Sequence, residues 1–202
     1  MNAFIAFPER LGKYGAAEYI GKRMGIIVDL DSRNMYQKND GYGILRVDTR
    51  DVPLAVDKGA LFGITGRDWM EDYLLGGNGK GLAVLDELDF GASQVCAFKA
   101  AGEIGKPARI ISPYGNIAKK YSRDAQIDFC DAYGNCGEVQ VVRGKTEGML
   151  RAGIADIVVD NRSSGRTQTD NGLILLDRIM DSCAIVISRR ENKYNVKEIL
   201  GL

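Results

Sequence analysis

The run Ala155-Asp156-Ile157-Val158-Val159-Asp160-Asn161-Arg162-Ser163-Ser164-Gly165-Arg166-Thr167-Gln168-Thr169-Asp170-Asn171-Gly172-Leu173 sets the reading of the whole chain. Ile157 to Val159 read as a buried strand ending in an acid, Asp160. A loop of small and polar residues follows, and Asn171-Gly172 leads into apolar residues at helical spacing. Hydroxyls, a glycine and successive backbone N–H groups between a strand and a helix curl readily around a tetrahedral oxyanion. A carboxylate just before such a loop can accept hydrogen bonds from the sugar hydroxyls beside a phosphate. Together these features point to a ribose-phosphate site. Ser, Gly, Thr, Asp and Asn are also ordinary turn and N-cap residues, so spacing alone leaves a plain polar connection as the alternative. The run is neither a P-loop nor a dinucleotide fingerprint.

Outward from this run, short apolar stretches alternate with helical patterns. Strands are expected at 3–7, 44–47, 61–64, 95–98, 109–111, 138–142, 157–159 and 183–187. Helices are expected at 11–23, 52–58, 69–75, 117–121, 146–152 and 172–180. Such alternation is the signature of an α/β fold. The glycine-rich stretch Gly76-Gly77-Asn78-Gly79-Lys80-Gly81 follows a helix and lacks Gly-Lys-Ser/Thr, so it reads as a connector.

The 202 residues suffice for one or two domains with a real core. Lys and Arg together number 27, as do Asp and Glu, and no basic block stands out, which argues against a polymeric nucleic acid as partner. Histidine is absent, which removes Ser-His-Asp, Cys-His and histidine-ligated zinc chemistry from consideration. Cys96, Cys130, Cys136 and Cys183 fit neither paired C-x-x-C ligands nor a disulfide framework. They read as free thiols in a reducing cytoplasm, with Cys130 and Cys136 flanking a turn across which pairing is the alternative. No apolar run approaches the ~20 residues of a membrane span, and no signal peptide is expected at the start.

Several motifs, in order, bear a resemblance to ATP phosphoribosyltransferase, the enzyme that opens histidine biosynthesis. Ala155, Asp156, Val159, Asp160, Ser163, Gly165, Thr167, Asn171, Gly172 and Leu173 fit its phosphoribosyl-pyrophosphate (PRPP) motif, roughly A-D-a-I-V-D-l-v-S-T-G-T-T-l-x-x-N-G-L. Arg50-Asp51-Val52-Pro53 and Gly63-Ile64-Thr65-Gly66-Arg67-Asp68-Trp69 resemble its D-I-P and L-G-I-T-G-x-D-W signatures. Leu88-Asp89-Phe90-Gly91, Tyr114-Gly115-Asn116-Ile117-Ala118 and Gly144-Lys145-Thr146-Glu147 resemble its L-G-F-G, Y-P-N-I-A and G-S-V-E segments.

The resemblance implies a two-lobed fold of the periplasmic-binding-protein type II kind with the active site in the interlobe cleft. Lobe I would comprise residues 1–90 and 177–202, and lobe II residues 91–176. Ser163, Ser164, Gly165, Arg166 and Thr167, with Arg162, would hold the 5′-phosphate of PRPP. Glu147 and Asp160 would contact the ribose hydroxyls, and Mg²⁺ would bridge pyrophosphate oxygens. The short catalytic form of the family implies a homo-oligomer and a regulatory subunit resembling histidyl-tRNA synthetase.

Departures from the family pattern are concentrated in charge. The early P-K-G-R-L appears as Pro8-Glu9-Arg10-Leu11, so only Arg10 carries over as the basic group facing phosphates. Asp48 stands where a basic residue is expected and Leu61 where an acid is, while Lys145, Arg162 and Arg166 add positive charge elsewhere. Lobe I is thereby left poorer in cations for a triphosphate. ATP is the expected acceptor, a paralogue with a less anionic acceptor is the first alternative, and a two-lobed binding protein without turnover the second.

Overall fold

Residues 3–11, 15–39, 41–163 and 172–202 are described by the computed structural model. The chain forms two units, Met1–Ala92 with Cys183–Leu202 and Ser93–Ser182, so it passes from the first to the second and back. In the first unit, β1 (Phe4–Pro8) runs parallel to both β3 (Tyr42–Val47) and β4 (Phe62–Gly66). The sheet is completed by β2 (Tyr36–Asn39), β5 (Leu82–Glu87) and β12 (Ala184–Arg189), in the order β2-β3-β1-β4-β12-β5.

Alternate residues of these strands enter two cores, as the period of a strand requires. Ile5, Phe7, Ile64 and Val186 pack with Ile20 of helix α2 (Ala17–Met24) on one face. Ala6, Ile185 and Ile187 pack with Val52 and Val56 of α3 (Val52–Asp57) on the other. Burial on both faces explains why the strands read as continuous apolar runs. A Cβ added to Gly63 would lie 2.5 Å from Val52 Cγ1, so the glycine lets α3 settle directly on β4. At Gly66 a Cβ would collide with Asp68 Oδ1, because Asp68 folds back over the strand end at the start of α4 (Arg67–Leu75). The glycines of the Gly63-Ile64-Thr65-Gly66 segment are thus packing requirements.

The strands of the second unit are β6 (Ser93–Lys99), β7 (Ala108–Ser112), β8 (Phe129–Cys130), β9 (Gln140–Val141), β10 (Ile157–Arg162) and β11 (Ile174–Ser182). They form a sheet in the order β11-β6-β10-β7-β8, with β9 also paired to β7. Cys96, Phe98, Ile111, Leu150 and Val158 form its core. Cys96 is fully buried and acts as a small hydrophobe.

One expected element is overturned. Residues 172–180 read as a helix, yet Ile174–Ser182 is an edge strand paired antiparallel with β6. Its register shifts between Leu175 and Asp177 and again between Arg178 and Met180. Each irregularity breaks the two-residue alternation, leaving apolar residues at a spacing that mimics a helix turn; edges are where bulges concentrate. The motif is therefore flanked by strands on both sides in the described residues, with β10 and β11 each lying against β6. The helix expected at 11–23 is found as α1 (Glu9–Leu11) and α2, and the strand expected at 138–142 is reduced to β9. Among the described residues no helix is long and apolar enough to cross a membrane.

Candidate ribose-phosphate site

In the second unit, β7 runs parallel to β9 and β10, so the carboxyl ends of all three lie at one end of the sheet. Open α/β sheets bind ligands at that end. Ser112, the last residue of β7, is buried and ties the ends together: its Oγ donates to the Val159 carbonyl at 2.7 Å and accepts from the Tyr114 N–H at 2.8 Å. Helix α5 (Gly115–Asp124) starts soon afterwards. A Cβ on Gly115 would lie 2.7 Å from Val141 Cγ2, so the absence of a side chain brings the start of α5 against the end of β9.

From β9 the chain turns through Gly144 (φ 90°) and Lys145 (φ 57°) into α6 (Thr146–Arg151). The left-handed turn delivers Thr146, fully buried, to the end of β10. Its hydroxyl donates to Asp160 Oδ2, while Asp160 Oδ1 accepts from the Asn161 N–H at 2.7 Å. Asn161 Nδ2 in turn donates to Ser93 Oγ at 2.8 Å, anchoring the end of β10 to the start of β6. Asp160 is thus a half-buried carboxylate with both oxygens oriented, near the tip of a strand. Glu147 follows Thr146 and is also half-buried, so the Thr146–Asp160 bond brings the two acidic segments together.

Arg162 closes β10 and Ser163 is exposed just beyond it. Ser164, Gly165, Arg166 and Thr167 lie outside the described residues. Arg10 sits on α1 directly after β1 in the first unit and is exposed. Among the described residues Arg10 and Arg162 enter no ion pair, whereas Arg46, Arg50 and Arg67 face Glu9, Asp51 and Glu87. Asp48, the reversed charge, acts locally, since its carboxylate accepts from the Arg50 N–H and caps the turn Thr49–Asp51.

At the opposite end of β10, Asp156 receives the Arg109 guanidinium through Nε and Nη2, each at 3.0 Å, and the Arg109 N–H at 2.8 Å. These hydrogen bonds hold its carboxyl below the usual aspartate range, against the upward push of partial burial. Asp156 of the motif therefore locks β10 to β7. Among the described residues, no group of three or more His, Cys, Asp or Glu side chains is arranged to hold a metal ion.

Sequence reasoning missed Thr146. The available signal was the threonine in Gly144-Lys145-Thr146-Glu147 where the G-S-V-E pattern has an apolar residue.

A sequence model of the family described as HisG: ATP phosphoribosyltransferase matches residues 48–201. The ATP phosphoribosyltransferase of Saccharolobus solfataricus is 31% identical over 160 residues, covering 75% of this chain and 51% of that protein. That of Thermococcus gammatolerans is 31% identical over 183 residues, covering 90% and 85%. The chain spans about half the length of several curated relatives it matches, the first of these among them. Among solved structures, an ATP phosphoribosyl transferase (HisG:HisZ) complex from Thermotoga maritima contains a chain superposing with a TM-score of 0.79 at 22% identity, over 98% of this chain and 96% of that one. The periplasmic aliphatic sulphonate binding protein SsuA of Escherichia coli superposes with a TM-score of 0.54 at 12% identity, over 98% and 69%. These likenesses show a periplasmic-binding-protein-like type II fold.

Proposed function

The chain belongs to the ATP phosphoribosyltransferase family, and from that premise we propose that it joins the phosphoribosyl group of PRPP to N1 of ATP with release of pyrophosphate, the first step of histidine biosynthesis. The observation that carries this reading is the oriented Asp160 carboxylate, held by Thr146, the residue before Glu147, just ahead of the Arg162–Thr167 segment.

Asp160 and Glu147 accept hydrogen bonds from the ribose hydroxyls and fix the sugar while C1 becomes cationic. Thr146 is a positioning residue that holds Asp160. Arg162, Ser163, Ser164, Gly165, Arg166 and Thr167 hold the 5′-phosphate, and Arg10 is the basic residue carried over from the family pattern to face substrate phosphates. Fixed dipoles and charges aimed at a developing charge are the expected main source of acceleration, so the absence of histidine is no handicap. A divalent metal accompanies the reaction, and Mg²⁺ is the proposed ion. Mg²⁺ typically takes one or two carboxylates plus substrate phosphates, which suits the Asp160 and Glu147 donor set better than a cage made wholly of protein ligands. It would neutralise the departing pyrophosphate.

The Thermotoga maritima structure is a HisG:HisZ complex, and we propose for this chain a homo-oligomer with a regulatory subunit similar to histidyl-tRNA synthetase. Free thiols at all four cysteines suit the proposed cytoplasmic setting. The ion-paired state of Arg46, Arg50 and Arg67 favours one second reading, a paralogue using a less anionic acceptor.

Thermal melting tests the PRPP site. At about a hundredfold its dissociation constant a ligand adds ~2.7 kcal/mol, which for a chain of this size raises Tm by roughly 5–11 °C. Gly165→Glu should abolish that rise by blocking close approach of the backbone and repelling the phosphate. A rise of the same size in the variant would place PRPP elsewhere.

A further inference from the structure

Cys130 and Cys136 face each other across an isolated antiparallel bridge. The hydrogen bonds that frame it run from the Asp131 N–H to the Asn135 carbonyl at 3.2 Å and from the Gly137 N–H to the Phe129 carbonyl at 2.8 Å. One lies a residue inside the pair and the other a residue outside it, so the cysteines occupy a non-hydrogen-bonded position, where Cα atoms stand about 4.5 Å apart and side chains come closest. Disulfides span Cα separations of roughly 4.4–6.8 Å. The turn between them is already built: the Asp131 carboxylate accepts from the Tyr133 N–H, the Asn135 N–H and Asn135 Nδ2 at 2.7–2.9 Å. β8 and β9 occupy successive stretches of the same edge of β7, Ala108–Arg109 and Ile111–Ser112. The turn is thus an excursion from an edge that is paired before and after it, and a covalent link across its base leaves both pairings in place.

We propose that Cys130 and Cys136 form a reversible dithiol–disulfide site whose oxidant is a low-molecular-weight disulfide such as oxidised glutathione. Both thiols are free in this structure; Cys136 is exposed and Cys130 buried. Burial, with Cys136 and Asp131 beside it, pushes the Cys130 thiol up, so the exposed Cys136 is the thiol that meets the oxidant first. In the first step the Cys136 thiolate attacks one sulfur of oxidised glutathione, forming a mixed disulfide and releasing one glutathione thiolate. In the second the Cys130 thiolate attacks the Cys136 sulfur and expels the other glutathione. Two protein thiols are oxidised, one glutathione disulfide is reduced to two thiols, and the two protons pass from the protein thiols, through solvent, to the glutathione thiolates.

Both cysteines lie in a single tryptic peptide, residues 124–143, while Cys96 and Cys183 fall in others. The folded protein is equilibrated with graded ratios of oxidised to reduced glutathione, denatured in the presence of an alkylating agent, digested and weighed. The 124–143 peptide should lose two hydrogens and take no alkyl group at ratios that leave Cys96 and Cys183 alkylated, and dithiothreitol should reverse this. Cys136→Ser should leave Cys130 alkylatable throughout, while Cys130→Ser should trap glutathione on Cys136. A 124–143 peptide that carries two alkyl groups at every ratio overturns the proposal. So does a glutathione adduct on Cys136 that never closes in the parent protein, or closure only after the chain is unfolded.

Discussion

At the scale of single residues, the two oxygens of Asp160 have different partners, the Thr146 hydroxyl and the Asn161 N–H. Asp160→Asn keeps the shape and removes the charge, so turnover should fall more than tenfold, at least about 1.4 kcal/mol, with the fold intact. Glu147→Gln should behave alike; full activity in both variants would reject their assignment to the ribose. Thr146→Val matches the buried volume but removes the Thr146 hydroxyl from Oδ2, so the carboxylate loses one of the contacts that orient it toward the ribose. Turnover should therefore fall about tenfold or more, and Thr146→Ser, which restores the hydroxyl, should recover most of it. A purely structural threonine would instead lower stability and leave turnover alone. The place of Asp160 near the end of a strand was legible in the sequence because an acid interrupts an apolar run. Thr146 was not, since its partner lies 14 residues away along the chain and only the folded turn through Gly144 and Lys145 brings them together.

Elements are held by equally specific means. Asp156 joins the start of β10 to Arg109 on β7, and its depressed carboxyl sets the sign of a pH effect. Because the folded value lies below the ordinary one of about 3.9, the stabilisation is whole above that pH and drains away as pH falls through the folded value. Asp156→Asn should cost about 1–3 kcal/mol in urea unfolding at neutral pH. The gap between variant and parent should then narrow below about pH 4; a gap of constant size would detach the pair from the acid limb. Gly63→Ala should cost roughly 1–3 kcal/mol by pressing a methyl group into Val52, whereas Gly81→Ala, with nothing within 4 Å of the added carbon, serves as the unstrained control. Strands buried on both faces, such as β1, β4 and β12, were readable as apolar runs. The edge strand β11 was not: its two register shifts and its exposed Ile174 and Leu175 produce a pattern that local periodicity cannot separate from a helix.

For the whole molecule, what matters is how the cations of each unit are already paired. In the first unit Arg46, Arg50, Arg67 and Arg189 already face acids, and Arg10 forms no ion pair among the described residues. If ATP is the acceptor, two polyphosphates repel each other by several kcal/mol at the effective dielectric of a protein surface unless cations screen them. Arg162→Val should accordingly raise KM for ATP or PRPP severalfold, with a parent KM that climbs steeply with ionic strength; an unchanged KM would remove Arg162 from the screening. The isolated chain should sediment as a homo-oligomer and show little inhibition by histidine, and strong inhibition would contradict the need for a separate regulatory subunit. The α/β class and the family were legible because they depend on local pattern and ordered motifs. The acceptor was not, because it depends on how charges from distant segments are paired. The central claim is tested most directly by pyrophosphate release from PRPP and Mg²⁺ with a panel of acceptors. The account predicts release with ATP that requires PRPP and Mg²⁺; release with a neutral azole or amine but never with ATP would contradict it.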